Sequence, residues 1–340
     1  MMRAVRFYET GGPEVLKVEE AAVPEPGPGE VLVAIEAIGL NRAEANFRAG
    51  RYFEQPRVFP AGLGYEAAGT VLSLGPGVRD RRDLPEGTAV SVLPTFSMRD
   101  FHVYAEQAVV PASSLVPRPE GLGAVDGAAV WMPHLTAYGA LGDLADVGEG
   151  DTVVITAASS SVGLAAIRTA RRLGARSVAV TRTAAKRAAL ENTGADLVVV
   201  RQEQELTEEV GKLADGEGAR VVFDPVGGPG AAELAACAAP GGTVFIYGSL
   251  GGQETFFPRV ALAKGLSFRG YLVFEVFADP RRFVRATEFV LSGLADGSLE
   301  PAVDSTYELS RIVAAHRHLE SNRQTGKVVV TVEGRAATPV

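Results

Sequence analysis

Over the first 120 residues the chain reads as short runs rich in apolar and β-branched residues, cut by clusters such as Pro24-Glu-Pro-Gly-Pro-Gly29 and Gly75-Pro-Gly77. Such punctuation predicts strands: Met2 to Tyr8, Leu16 to Glu20, Glu30 to Leu40, Ala67 to Leu74, Ala89 to Leu93 and His102 to Val110. This half should form a barrel-like or partly open sheet. From Gly121 apolar runs alternate with helical stretches. Strands are expected at 152–157, 177–181, 196–200, 219–224 and 243–248, and helices near 162–173, 183–193, 205–214 and 229–239. That alternation means βαβ units and a parallel sheet, with its ligand crevice at the carboxyl ends of the strands. After Leu266 the pattern is mixed: a strand from Ser267 to Phe274, helices from Pro280 to Ser292 and Leu309 to Ser321, and a last strand from Lys327 to Val332. This tail is expected to return and complete the first domain. An α/β chain divided into 1–120, 121–265 and 266–340 results.

One stretch organises the second half. Thr152 to Thr156 is the short β-branched run of a strand buried on both faces; from Val162 the apolar residues Val162, Ala165, Ala166, Ala170 and Leu173 recur at helical spacing until Gly174. A turn of small residues before a helix N-terminus presents backbone N–H groups and the positive end of the helix dipole, which is a site for phosphate. The dinucleotide fingerprint Gly-x-Gly-x-x-Gly is nonetheless incomplete: its three positions hold Ala158, Ser160 and Gly163. Only the glycine that allows close helix–strand packing remains. Alanine and serine are still small enough for a close backbone approach, and Ser159, Ser160 and Ser161 add hydroxyls.

The end of the second βαβ strand bears on which dinucleotide binds. An enzyme using NAD places an acid there, on the adenosine ribose. Here Thr181 is followed by Arg182 and, further on, Lys186, with Arg201 after the third strand. A carboxylate would repel a 2′-phosphate, whereas these cations pair with one. NADPH is therefore the expected cofactor.

Composition excludes several classes. A formal charge of −8 argues against a nucleic-acid partner. No apolar run of membrane-spanning length and no apolar segment after Met1-Met2-Arg3-Ala4-Val5-Arg6 is visible, so a cytoplasmic protein without membrane partner is expected. The single cysteine, Cys237, excludes internal disulfides and cysteine-based zinc clusters.

A set of motifs then extends over nearly the whole chain. They are Val31-Leu-Val-Ala-Ile-Glu-Ala-Ile-Gly-Leu-Asn-Arg-Ala-Glu44, Arg48-Ala-Gly-Arg-Tyr52, Gly62-Leu-Gly-Tyr-Glu-Ala-Ala-Gly69 and Leu135-Thr-Ala-Tyr-Gly-Ala-Leu141, followed by Val222-Phe-Asp-Pro-Val-Gly-Gly228, Phe245-Ile-Tyr-Gly-Ser249 and Thr325-Gly-Lys-Val-Val330. In order and spacing the chain resembles the medium-chain dehydrogenase/reductase superfamily, in its zinc-free quinone oxidoreductase and enoyl reductase-like branch. The resemblance implies a GroES-like catalytic domain split around a Rossmann domain, an active site in the cleft between them, and a homodimer extended through the strand Thr243 to Tyr247. It also implies contacts: Asn41 beside the nicotinamide, Thr136 on the same side of the cofactor, and Ser160, Ser161, Val162 and Gly163 on the pyrophosphate. Thr181, Arg182 and Lys186 would meet the adenosine end, with Arg201 near them. Val226, Tyr247, Gly248 and Ser249 would lie along the cofactor, and Gly326 and Lys327 would touch it from the returning tail.

Relatives that oxidise alcohols hold a zinc with a Cys where this chain has Asn41, a His where it has Tyr65, and a third thiolate near Met132 to Pro133. A catalytic zinc needs about three protein ligands, and none of these residues is of ligand type; Glu66 alone remains. Metal is therefore not expected. Hydride transfer to a quinone or an activated alkene (an enone or enoyl thioester) needs none. Many enoyl-reducing relatives have a tyrosine where this chain has Asn46. The proton donor is then Tyr65, Tyr52 or water. His134 reads as a polar lining residue; His102, His316 and His318 show no partner in the sequence. The reading is a zinc-independent NADPH-dependent oxidoreductase. The alternatives are a crystallin-like NADPH-binding protein without turnover and a zinc-type alcohol dehydrogenase with altered ligands.

Overall fold

The structure is a computed structural model that describes residues 1–78 and 81–333. Seven strands come first: β1 (Met2–Arg6), β2 (Lys17–Ala21), β3 (Glu30–Gly39), β4 (Glu66–Leu74), β5 (Ala89–Val92), β6 (Gln107–Pro111) and β7 (Leu115–Pro117). Six more alternate mostly with helices: β8 (Thr152–Ile155), β9 (Arg176–Thr181), β10 (Leu197–Val200), β11 (Ala219–Asp224), β12 (Ala238–Ile246) and β13 (Ser267–Gly270). β14 (Val303–Glu308) and β15 (Lys327–Thr331) follow. The chain forms two compact units, residues 1–132 with the stretch from Pro301 onward, and Pro133–Glu300.

The first unit is built on a seven-stranded sheet in the order β14-β15-β3-β4-β5-β7, with β6 also paired to β3. β3 is the hub, because Val31, Val33, Ile35, Ala37 and Ile38 are all buried. The tail enters this sheet as β15, antiparallel to β3 with Val329 opposite Gly39; on the other side of β3, Gly39 stands opposite Glu66. The ends of three neighbouring strands are thereby brought together. After β3 the chain turns into the helix Arg42–Arg48, capped at Asn41.

The second unit carries a six-stranded parallel sheet in the order β10-β9-β8-β11-β12-β13. All four residues of β8 are buried, as expected for a central parallel strand covered on both faces. The winding reverses between β8 and β11, the position at which open α/β sheets bind ligands beyond their carboxyl ends.

Two expectations are corrected. The stretch from Ser267 does not return to the first sheet: β13 pairs in parallel with β12, Thr243 opposite Ser267, and so belongs to the second unit. With it go the helix Pro280–Ala295 and everything to Glu300, so the units divide at Met132/Pro133 and Glu300/Pro301 rather than after 120 and 265. For the same reason the strand from Thr243 is an interior strand, and the outer edge is β13.

Candidate active site

In the second unit most of the expected cofactor residues gather at the carboxyl ends of β8 to β12. After β8 the chain passes Ala157, a non-glycine residue at φ +44°, and enters the helix Ser161–Arg172. Ser160 caps that helix, its Oγ accepting from the Gly163 N–H at 3.1 Å. A Cβ on Gly163 would lie 2.5 Å from the Ala158 carbonyl oxygen, so the one fingerprint glycine that survives is the one packing requires. Ser161 and Val162 form the first turn, where helix amides have no intrahelical acceptor. The turn therefore keeps the form of a phosphate cradle without its usual glycines.

Lys186 reaches back to this turn, its Nζ 3.0 Å from Ser159 Oγ. Thr181 ends β9 and is buried; Arg182, next to it, is exposed. Arg201 lies alongside, its N–H donating to the Thr181 carbonyl at 2.9 Å, but its guanidinium is ion-paired with Glu233. The structure thus gives the Arg201 side chain a carboxylate partner instead of leaving it open for phosphate.

Asp224 is an organiser that the sequence reading passed over. Buried at the end of β11, it accepts from Thr156 Oγ1, from the Val226 N–H at 3.1 Å and from the Gly227 N–H at 2.8 Å. It ties the end of β8 to the turn that carries Val226. Its signal was present as Asp224-Pro-Val-Gly-Gly, an acid before a tight turn. The Tyr247 ring stacks on Phe223 at 4.0 Å, and its backbone N–H donates to the Asp224 carbonyl. Gly248 and Ser249 are exposed. A hollow of about 590 Å³ opens beside them, lined by Tyr247, Gly248, Tyr271, Leu272 and Phe274. Thr136 is buried on the helix Trp131–Tyr138.

In the first unit a buried polar cluster stands where β15, β3 and β4 meet. Lys327 Nζ donates to Asn41 Oδ1 at 2.5 Å and to Glu66 Oε2 at 2.6 Å, with 1% of Lys327 and none of Glu66 exposed. Glu66 Oε1 accepts from the N–H groups of Trp131 (2.8 Å) and Met132 (2.9 Å). Asn41 Nδ2 donates to the Gly39 carbonyl at 3.1 Å and to Glu44 Oε1 at 3.2 Å; Glu44 also accepts from the N–H groups of Asn41 and Tyr65. Burial pushes the Glu44 carboxyl up to about 7, against the pull of Lys327 and of these hydrogen bonds. Lys327, expected on the cofactor, is instead committed to two buried partners. Gly326 is needed by the backbone: it has φ +110°, and a Cβ there would lie 2.4 Å from the Ala302 carbonyl oxygen.

Tyr65 is corrected as well. No part of it is exposed, and its hydroxyl donates to Glu54 Oε1 at 2.9 Å; Glu54 also accepts from Ser97 Oγ at 2.6 Å and from the Met98 N–H at 3.3 Å. Burial pushes the Tyr65 hydroxyl well above the usual phenol range, so it holds its proton and gives the hydrogen bond to a carboxylate. Tyr52 packs edge-on against it at 6.3 Å and is half-buried, with its hydroxyl also raised by burial. Of the two, Tyr52 reaches the surface. Glu54 gave no local signal, since its partners lie far along the chain. Among the described residues no three His, Cys, Asp or Glu side chains are grouped to hold a metal.

Two of the histidines have structural settings. His316 is buried between Arg48 (3.4 Å) and the Tyr104 hydroxyl (3.2 Å), and His318 meets the Tyr307 hydroxyl at 3.0 Å. Burial pushes both His134 and His316 down to about 3, so both are neutral.

The description of an alcohol dehydrogenase GroES-like domain matches residues 27–120, and that of a zinc-binding dehydrogenase matches residues 161–292. Human quinone oxidoreductase is 30% identical over 332 residues, covering 97% of this chain and 98% of that protein. The chain belongs to the quinone oxidoreductase branch of the medium-chain dehydrogenase/reductases. Among solved structures, a mycobacterial protein complexed with NADPH superposes with a TM-score of 0.87 at 29% identity, covering 97% of this chain and all of that one. Escherichia coli quinone oxidoreductase complexed with NADPH gives 0.87 at 25% identity, covering 97% and 99%. The fold is thus the GroES-like sheet and Rossmann sheet of that branch, and the protein is an oxidoreductase by kinship.

Proposed function

We propose that this protein is an NADPH-dependent oxidoreductase that reduces a small quinone without a metal, with enones and enoyl thioesters as a secondary substrate class. The observation that carries the cofactor is Lys186 drawn onto the Ser159 hydroxyl, beside Arg182 and with no acid at the end of β9. That arrangement suits a 2′-phosphate, and the cradle from Ala157 to Gly163 suits the pyrophosphate. Bound NADPH supplies the hydride. The protein's residues would hold and orient it: Val226 and Tyr247 to Ser249 along the cofactor, with Thr136 and, by the family resemblance, Asn41 toward the nicotinamide.

The proton decides between acceptors. A reduced quinone is left with an oxygen anion that water protonates readily, whereas an enolate asks for a positioned acid at carbon. Tyr65 is sealed against Glu54, and Tyr52 keeps its proton tightly. A quinone therefore asks less of this site. The same sealing supports the second reading, an NADPH-binding protein without turnover. Steady-state NADPH oxidation across quinones, enones and enoyl thioesters, with cofactor deuterated at C4, separates them. Turnover on quinones with deuterium leaving the cofactor supports the proposal; tight NADPH binding with no acceptor reduced overturns it in favour of the second reading.

The reading includes a cytoplasmic location and a homodimer joined through the outer edge of β13. Exposed Phe256 and Leu262 nearby in sequence support an apolar contact at this end of the sheet. No helix among the described residues is long and apolar enough to cross a membrane.

A further inference from the structure

We infer that Lys327 is a positioning residue that acts through Asn41, a built-in cation that locks the Asn41 carboxamide in one orientation at the reactive end of the site. This rests on the proposed placement of Asn41 beside the nicotinamide, and goes beyond it by assigning what holds Asn41 there.

The geometry is closed on every side. Asn41 follows β3, Lys327 begins β15 and Glu66 begins β4, and these three strands are neighbours in one sheet. The Asn41 amide gives one hydrogen to the Gly39 carbonyl and one to the Glu44 carboxyl, while its oxygen receives the Lys327 ammonium at 2.5 Å. A flipped carboxamide would set its NH₂ against an ammonium and its oxygen against a carbonyl and a carboxyl. Three contacts would become repulsive together, so only one rotamer is allowed. The helix cap adds a fourth tie, since the Asn41 side chain also takes the Glu44 backbone N–H, so the carboxamide is held by the protein through its oxygen and both of its amide hydrogens.

Lys327 itself cannot serve as a phosphate contact in this arrangement. It is buried, and its charge is shared between Asn41 and Glu66, whose other oxygen is fixed by two backbone amides. A buried ammonium is tolerated only when paired in this way.

The test uses the full-length protein, wild type and Lys327→Met, together with Asn41→Ala and the double variant. Selective ¹⁵N labelling of asparagine makes Asn41, Asn46, Asn192 and Asn322 visible through their side-chain amides. The Asn41 amide hydrogens should exchange slowly in the wild type and about tenfold or more faster in Lys327→Met, because the locked orientation opens. NADPH should bind Lys327→Met within about threefold of wild type, while kcat for 1,4-benzoquinone falls by about 10²-fold at little-changed KM, the cost of a misplaced orienting group. In the Asn41→Ala background the same Lys327→Met change should cost little further kcat, since the residue it acts through is gone. A tenfold loss of NADPH affinity with kcat intact would make Lys327 a cofactor contact and overturn the inference. Additive effects on kcat, or unchanged Asn41 exchange, would overturn it too. Should Lys327→Met not fold, Lys327→Arg carries the same measurements, because it keeps the charge and moves the donors. Exchange and cofactor affinity need no turnover. If the wild type reduces no acceptor at all, the oxidoreductase reading falls, while these two arms still judge Lys327.

Discussion

Replacing Lys186 by alanine should separate the two nicotinamide cofactors. The Lys186 ammonium is half-buried and already held 3.0 Å from Ser159 Oγ, so it is aimed before any ligand arrives. A hydrogen bond to a charged group contributes about 1.5–3 kcal/mol. Because the ammonium gives up or shares the Ser159 contact on binding, the lower half of that range applies. The loss for NADPH should then be about 10–50-fold. NADH, without the 2′-phosphate, should change by less than about threefold. Arg182 is exposed and more strongly screened, so Arg182→Ala should cost NADPH only about 0.5–1 kcal/mol, and less at high salt. Arg201→Ala should cost still less, since its guanidinium is taken by Glu233. The assay is a fluorescence or calorimetric titration of both cofactors at two ionic strengths. Equal dissociation constants for NADPH and NADH in the wild type would refute the argument, as would a Lys186→Ala variant that loses both cofactors equally.

Gly163→Ala should cost about 1–3 kcal/mol of stability and weaken NADPH binding, because the added Cβ meets the backbone of Ala158; a melting temperature and affinity like wild type would show that the turn gives way. Tyr65→Phe should keep turnover and lower stability by about 1–2 kcal/mol through the Glu54 acceptor it deserts, and Tyr52→Phe should leave quinone turnover near wild type, since water supplies the proton; steady-state kinetics is the measure, and a slowed Tyr52→Phe would make Tyr52 the donor. On acidification from pH 6.5 to 4.5, His134 and His316 gain protons only on unfolding and Glu44 loses one. The two histidines destabilise, with His102 acting in the same direction, and Glu44 opposes them, which leaves a net loss of stability on acidification that thermal denaturation across this window should show; a flat profile contradicts it. Light scattering should find twice the 35.6 kDa of one chain, and Phe256→Asp with Leu262→Asp should shift it toward one; a monomeric wild type ends the homodimer reading.

Local pattern carried much of the dinucleotide-binding half. β8, the turn and the helix Ser161–Arg172 lie next to each other in the chain, and their spacing alone placed Ser160 and Gly163 where the structure has them. The helix Arg42–Arg48 was missed although its signal was there. Asn41 followed three residues on by Glu44 is a capping pattern, and Glu44 does reach back to the Asn41 N–H. β14 escaped for the opposite reason, because Val303-Asp-Ser-Thr-Tyr-Glu308 is an edge strand with little apolar alternation to read. β13 was seen as a strand but assigned to the wrong sheet, since a run of residues does not say which neighbour its hydrogen bonds will find.

The candidate reactive cluster shows what a sequence leaves out. Tyr65 read as a donor because a substitution pattern put a hydroxyl in a vacated position, yet where a hydroxyl points depends on what else is buried beside it, and here that is Glu54, Ser97 and the Met98 amide. Lys327 read as a cofactor contact because the family resemblance put the returning tail against the cofactor; the order β15-β3-β4 instead delivers it to Asn41 and Glu66. The resulting charges are unequal: two buried carboxyls, Glu44 and Glu66, share one buried ammonium. Glu66 is in contact with Lys327 and holds two further backbone hydrogen bonds, so it takes most of the compensation. Glu44 is left to burial, which carries its carboxyl up to about 7. The cluster therefore gains or loses one proton near neutral pH at the residue that also holds the Asn41 amide, and the orientation of Asn41 is tied to a charge balance set by three strands and one helix cap.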